Sequence, residues 1–160
     1  METGPAQHRL WIIGGGFMIT VDQLKEAGAI YFERIQTGLD EYDFHVVKLN
    51  EEEAYETLKG LWMYNGDENT FVDFYYYQLD AKGKKKADSI LFSREVQYLN
   101  DNAPEDKSQF IFHLDEMLLG IIIKLNYTEM LFSTFYFTKD PPCTMWGNYG
   151  HEYVMFRNKQ

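Results

Sequence analysis

The sequence predicts an α+β fold: a single domain whose mainly antiparallel β-sheet carries two or three packed helices. Short runs rich in Val, Ile, Phe and Tyr recur in pairs around turn residues, which is the pattern of hairpins. Few stretches between them carry helix-capping signatures, and the strict strand-helix alternation of a doubly wound sheet is missing. With 160 residues, 45% hydrophobic and 17% aromatic, the chain has enough apolar surface to close one core without disulfides or metals.

Residues 1–8 are polar and include Gly4 and Pro5, which predicts a flexible N-terminus ahead of a domain spanning 9–160. Thr20 and Gln23 are spaced as a capping box and open a short helix from Val21 to Ala27, stopped by Gly28. "AIYFERIQ" and "YDFHVVKL" read as a hairpin around "TGLDEYD", with prolongation of the helix as the alternative for the first arm. "NEEEAYETLKGLW" is the clearest helix. Asn50 caps it and Glu53 closes the box, three acids sit at the positive end of the dipole, and Ala54, Leu58 and Leu61 form an apolar stripe.

"NGDEN" is turn chemistry. "TFVDFYYYQL" and "DSILFSREVQYL" read as strands joined by a loop, "DAKGKKKA". Extended geometry would set Phe74 and Tyr76 on one face and Tyr75 and Tyr77 on the other. "QFIFHL" is a further short strand. Asp115 caps a helix reaching about Leu125, or the β-branched run Ile121 to Ile123 marks a central strand, and periodicity does not arbitrate. "EMLFSTFYFT", a "KDPPC" turn and "TMWGNYGHEYVMFR" read as strands ending near Arg157. Leu131, Phe135 and Phe137 alternate with Thr134, Tyr136 and Thr138, so one sheet face is the more polar.

The net charge is −10, and its distribution is uneven. Residues 1–80 hold five Lys or Arg against fifteen Asp or Glu, whereas residues 81–160 hold ten against ten. Such a surface repels nucleic acid, which is bound through Lys and Arg, and attracts a basic protein partner. A single cysteine, Cys143, excludes an intramolecular disulfide and a cysteine metal cluster. The longest apolar run, "MLLGIIIKL", is about half of the roughly 20 residues a membrane helix needs. A cytoplasmic protein without a membrane segment is the expectation.

Catalytic motifs are weak. Gly14 and Gly16 would begin a dinucleotide fingerprint, but position 19 holds Ile19, and no G-K-[ST] tripeptide follows, so a loop or bulge is the expectation there. Of the four histidines, His8, His45, His113 and His151, no pair has helical ligand spacing, and no cofactor or metal is expected. Neither Cys143 nor Ser133 sits in a nucleophile motif. Carboxylates such as Glu33, Asp73 and Glu95 are too abundant for an acid-base pair to be chosen from sequence.

Two functional expectations follow. The first is a non-catalytic acidic domain that binds a basic protein, as an immunity or inhibitor protein binds a cationic nuclease toxin. Its contacts would be Asp40, Glu41 and Asp43, then Glu51, Glu52 and Glu53, then Asp67 and Glu68. The second is a small-ligand or enzymatic pocket near His113, Asp115, Trp146, Tyr149 and His151, where polar and aromatic residues gather beside glycines.

Overall fold

The computed structural model describes residues 19–160, so the expected flexible segment 1–8 and the glycines at 14–16 lie outside the described residues. The fold is α+β, with a six-stranded antiparallel sheet in the order β1-β6-β5-β4-β2-β3. The strands are β1 Asp43–Lys48, β2 Thr70–Asp73, β3 Ile111–His113, β4 Thr134–Phe137, β5 Cys143–Gly147 and β6 Glu152–Arg157. The helices are α1 Val21–Glu26, α2 Ile35–Glu41, α3 Glu51–Asn65, α4 Ala81–Asp88, α5 Ser93–Asp101 and α6 Glu116–Tyr127. Among the described residues no helix is long and apolar enough to cross a membrane.

Helices thus number six among the described residues, where two or three were expected, because three segments read as strand or loop are helical. Asp80 accepts from the Gly83 N–H and starts α4 in the lysine-rich stretch, which buries only Ala87. In α5 the buried residues are Glu95 and Leu99, four apart, so the helical period governs a segment whose sequence reads as a strand. The first arm of the proposed hairpin is coil over 29–34 followed by α2, and only its second arm, β1, is a strand. Residues 76–78 form a 3-10 turn, so Tyr76 and Tyr77 are both buried and do not alternate.

Local capping chemistry is realised as the sequence implies. Thr20 and Gln23 exchange side-chain and backbone bonds at α1, and Asn50 and Glu53 do the same at α3. Asp115 caps α6, which settles residues 116–127 as helix, and Ile121, Ile122 and Ile123 are all buried within it.

The two sheet faces have different cover. Val72, Phe135, Phe137 and Met145 join the main core with Leu58 of α3 and Leu119 and Ile122 of α6. On the opposite face Phe71, Ile111 and Tyr136 pack under Ile19 and Leu24, while Val154 and Phe156 pack under Ile30, with Phe32, Ile35 and Leu39 around them. This second face is the more polar one, because Thr134, Tyr136 and Thr144 also lie on it.

Candidate functional site

Strand pairing fixes which side chains share the second face. Phe71 stands opposite Tyr136, Tyr136 opposite Thr144 and Thr144 opposite Phe156, while Thr134 stands opposite Trp146. Asp73 is two residues beyond Phe71 on β2 and therefore points to the same side. A cavity of about 210 Å³ lies between these residues and the segments carrying Tyr31 to Glu33 and Phe132 to Ser133. Asp73, Tyr75, Tyr136, Trp146, Tyr31 and Glu33 supply most of its chemistry.

Two close approaches shape the walls. The Thr144 hydroxyl donates to the Ile30 carbonyl at 2.7 Å and pins the covering coil to β5. A Cβ on Gly38 would fall 2.5 Å from the Phe32 ring, so the glycine in α2 leaves the space that this wall residue occupies. On the other side Gly147 donates its N–H to the Ser133 carbonyl at 3.1 Å, and the buried Asn126 accepts from the Ser133 N–H at 3.0 Å.

Asp73 dominates the electrostatics. Its residue is 6% exposed, and burial pushes its carboxyl pKa up to about 7. Three donors oppose that rise: the Thr134 N–H at 2.7 Å on Oδ1, and the Tyr75 and Tyr136 hydroxyls at 3.3 and 3.5 Å on Oδ2. The ion pairs among the described residues join Lys59 to Glu116 and Lys124 to Glu95, and none reaches Asp73. Burial raises the Tyr75 and Tyr136 hydroxyls further, with the Asp73 charge adding to it, so both remain protonated donors at neutral pH. Tyr31 is raised by its burial, with Glu33 and Asp73 contributing.

Of the pocket residues expected from sequence, the structure puts Trp146 in this cavity, while His113, Asp115, Tyr149 and His151 do not line it. Tyr149 is exposed and meets Phe132, a wall residue, edge to face at 4.7 Å. His151 stacks on Tyr127 at 4.2 Å beside a separate crevice of about 10 Å³. The His113 ring lies against Phe71 at 4.4 Å, and its Nδ1 donates to the Asp67 carbonyl at 2.9 Å. Asp115 caps α6 and accepts from the Tyr98 hydroxyl. Among the described residues no three His, Cys, Asp or Glu side chains group as a metal site.

The carboxylates expected to meet a partner are all exposed. Asp40, Glu41 and Asp43 lie at the end of α2 and the start of β1, and Glu51 to Glu53 form the first turn of α3. Asp67 and Glu68 follow the end of that helix, roughly 22 Å further along its axis. Asp67 also accepts from the Trp62 indole N–H at 2.9 Å.

Sequence reasoning underrated Asp73, Tyr75 and Tyr136. The signal was a lone charge inside "TFVDFYYY", where a strand buried on both faces should be uniformly apolar. Comparison with protein-family models, with curated proteins and with solved structures finds no match to this chain.

Proposed function

We propose that this protein binds a small polar ligand in the cavity between the sheet and the coil over residues 29–34, with Asp73 as its anchor. One observation carries the reading: a nearly buried carboxylate lines a cavity of about 210 Å³ and has no ion-pair partner among the described residues. Buried charges are ordinarily paired, and a perturbed carboxyl in a concave, aromatic-lined site marks a functional position. The test is a thermal-shift screen of small metabolites against the wild type and Asp73→Asn. Ligands that raise the melting temperature of the wild type alone support the reading. A screen in which every hit stabilises both proteins equally removes it.

A second reading is favoured by the outer edge of the sheet. β1 pairs with β6 on one side, and its Phe44 and Val46 are 47% and 51% exposed beside Asp40, Glu41 and Asp43. Exposed apolar residues near a cluster of carboxylates suit a basic protein partner, as an immunity or inhibitor protein engages a cationic toxin. Glu51, Glu52, Glu53, Asp67 and Glu68 would add long-range steering. Neutralising the three acidic clusters together should slow association with such a partner and flatten its salt dependence. An unchanged association rate at low salt excludes the electrostatic part.

A further inference from the structure

We infer that the ligand of the Asp73 cavity is an organic cation, a primary ammonium or a guanidinium on a short carbon chain. Its N–H groups would meet Oδ2 of Asp73, and its carbons would lie against the rings of Tyr31, Tyr75 and Trp146. This rests on the reading of the cavity as a ligand site and names what that site takes.

The protein contains its own control. Glu95 and Asp73 are buried to the same degree, at 5% and 6% exposure. Glu95 Oε1 accepts from the Lys124 ammonium at 2.7 Å and from the Phe92 N–H at 2.8 Å, so its charge is compensated inside the fold. Asp73 has backbone and phenolic donors but no cation among the described residues, and it lines a cavity. The counter-charge that no described residue provides is what a ligand would supply.

The two oxygens of Asp73 are not equivalent. Oδ1 holds the short bond from Thr134, whereas Oδ2 holds only the two phenolic bonds at 3.3 and 3.5 Å. A charged N–H donor at about 2.8 Å would be stronger than either. A second carboxylate, Glu33, lines the same cavity and is exposed, so the lining disfavours anions. The aromatic residues Tyr31, Tyr75, Tyr136 and Trp146 line the cavity, and aromatic rings attract cations. Lys25 already uses the Tyr31 ring in this way, its ammonium lying 5.6 Å from the centroid. A volume of about 210 Å³ is below the roughly 300 Å³ lower bound of drug-sized pockets, which limits the ligand to a charged head and a few carbons.

Binding should follow the ionisation of Asp73. The titratable groups facing it are Tyr75 on its own segment, Tyr136 on β4, and Tyr31 and Glu33 on the covering coil. The three phenols stay neutral through the physiological range, so affinity should fall about tenfold between pH 8 and pH 6 as the carboxyl takes up its proton.

The experiment is an NMR titration of the full chain with four probes of equal chain length: n-butylammonium, n-butylguanidinium, n-butanol and butyrate. Support requires that the two cations move the Trp146 indole and Thr134 amide resonances saturably, that Asp73→Asn weakens this at least tenfold, and that Glu33→Gln weakens it two- to threefold. If n-butanol or butyrate saturates the same resonances as well as the cations do, the cavity is a ligand site and the cation inference is overturned. If none of the four moves them, both readings fall. Should Asp73→Asn not fold, the pH titration of the wild type decides, since a cation whose affinity is unchanged from pH 8 to pH 6 does not use this carboxylate.

Discussion

The backbone N–H of Thr134 donates to Oδ1 of Asp73 at 2.7 Å, joining residues 61 positions apart in the chain. This bond fixes the carboxylate at the junction of β2 and β4, with its other oxygen directed towards two phenols. A charge held in place this firmly yet so nearly excluded from water makes stability depend on pH.

The sign is set by the raised pKa. The folded carboxyl titrates near 7 and an unfolded aspartate near 4, so the folded state holds the proton more tightly. The stabilisation is fully present below about pH 4 and is lost as the pH rises through 7. Three pKa units correspond to on the order of 4 kcal/mol, so Asp73→Asn should gain stability relative to the wild type between pH 5 and pH 8. Urea unfolding of both proteins at the two pH values measures it, and parallel pH profiles would show that Asp73 is not the source.

Gly38→Ala tests the wall of the cavity. Alanine in place of glycine within a helix is worth about 1 kcal/mol in propensity, and Gly38 has no positive φ to object. Against this, the new methyl lies 2.5 Å from the Phe32 ring, which itself packs edge-on against Phe156 at 4.8 Å. Overpacking of this kind costs about 1–3 kcal/mol and should win. The expected result is a lower melting temperature together with a changed Trp146 emission, because Phe32 and Trp146 line one cavity.

Cys143 is buried on β5, and burial raises its thiol pKa, although Arg157 nearby opposes the shift. Thiolate chemistry should therefore be suppressed in the folded protein. A disulfide-exchange reagent should modify Cys143 at least tenfold more slowly in the native state than in urea. Equal rates would place the thiol at the surface.

What could be read from the sequence was what neighbours in sequence decide. The Asn50 and Glu53 capping box, the Thr20 and Gln23 box and the Asp115 cap each involve residues three apart, and each is formed. The errors came from partners far along the chain. Gly38 suggested a turn because glycine usually marks one, yet it lies inside α2 and is small to admit Phe32. The segment holding Glu95 reads as a strand, whereas Glu95 is buried on α5, where Lys124, 29 residues away, neutralises it. Asp73 is one of many carboxylates in the sequence, and its cavity depends on Thr134, Tyr136 and Trp146, which only strand pairing brings near.

The Glu95 and Lys124 pair supplies the last prediction. The Lys124 ammonium, 22% exposed in its side chain, lies 2.7 Å from Glu95 and 3.7 Å from the centroid of the Phe92 ring, so one lysine serves a buried anion and an aromatic face. Lys124→Met keeps the length and apolar bulk of the side chain but strands Glu95 without a counter-charge. Breaking a buried pair from one side costs about 3–5 kcal/mol, and the partial exposure of Lys124 places the expected loss near the lower end, at about 3 kcal/mol. Glu95→Gln alone should cost less, since the amide oxygen still accepts from the Phe92 N–H that closes the start of α5. The double variant should recover part of the Lys124→Met loss, giving a coupling energy of about 1–3 kcal/mol between the two positions. Denaturant unfolding of the four proteins measures that coupling. Strict additivity would mean that solvent already screens Glu95, and the contrast between a compensated Glu95 and an uncompensated Asp73 would then lose its force.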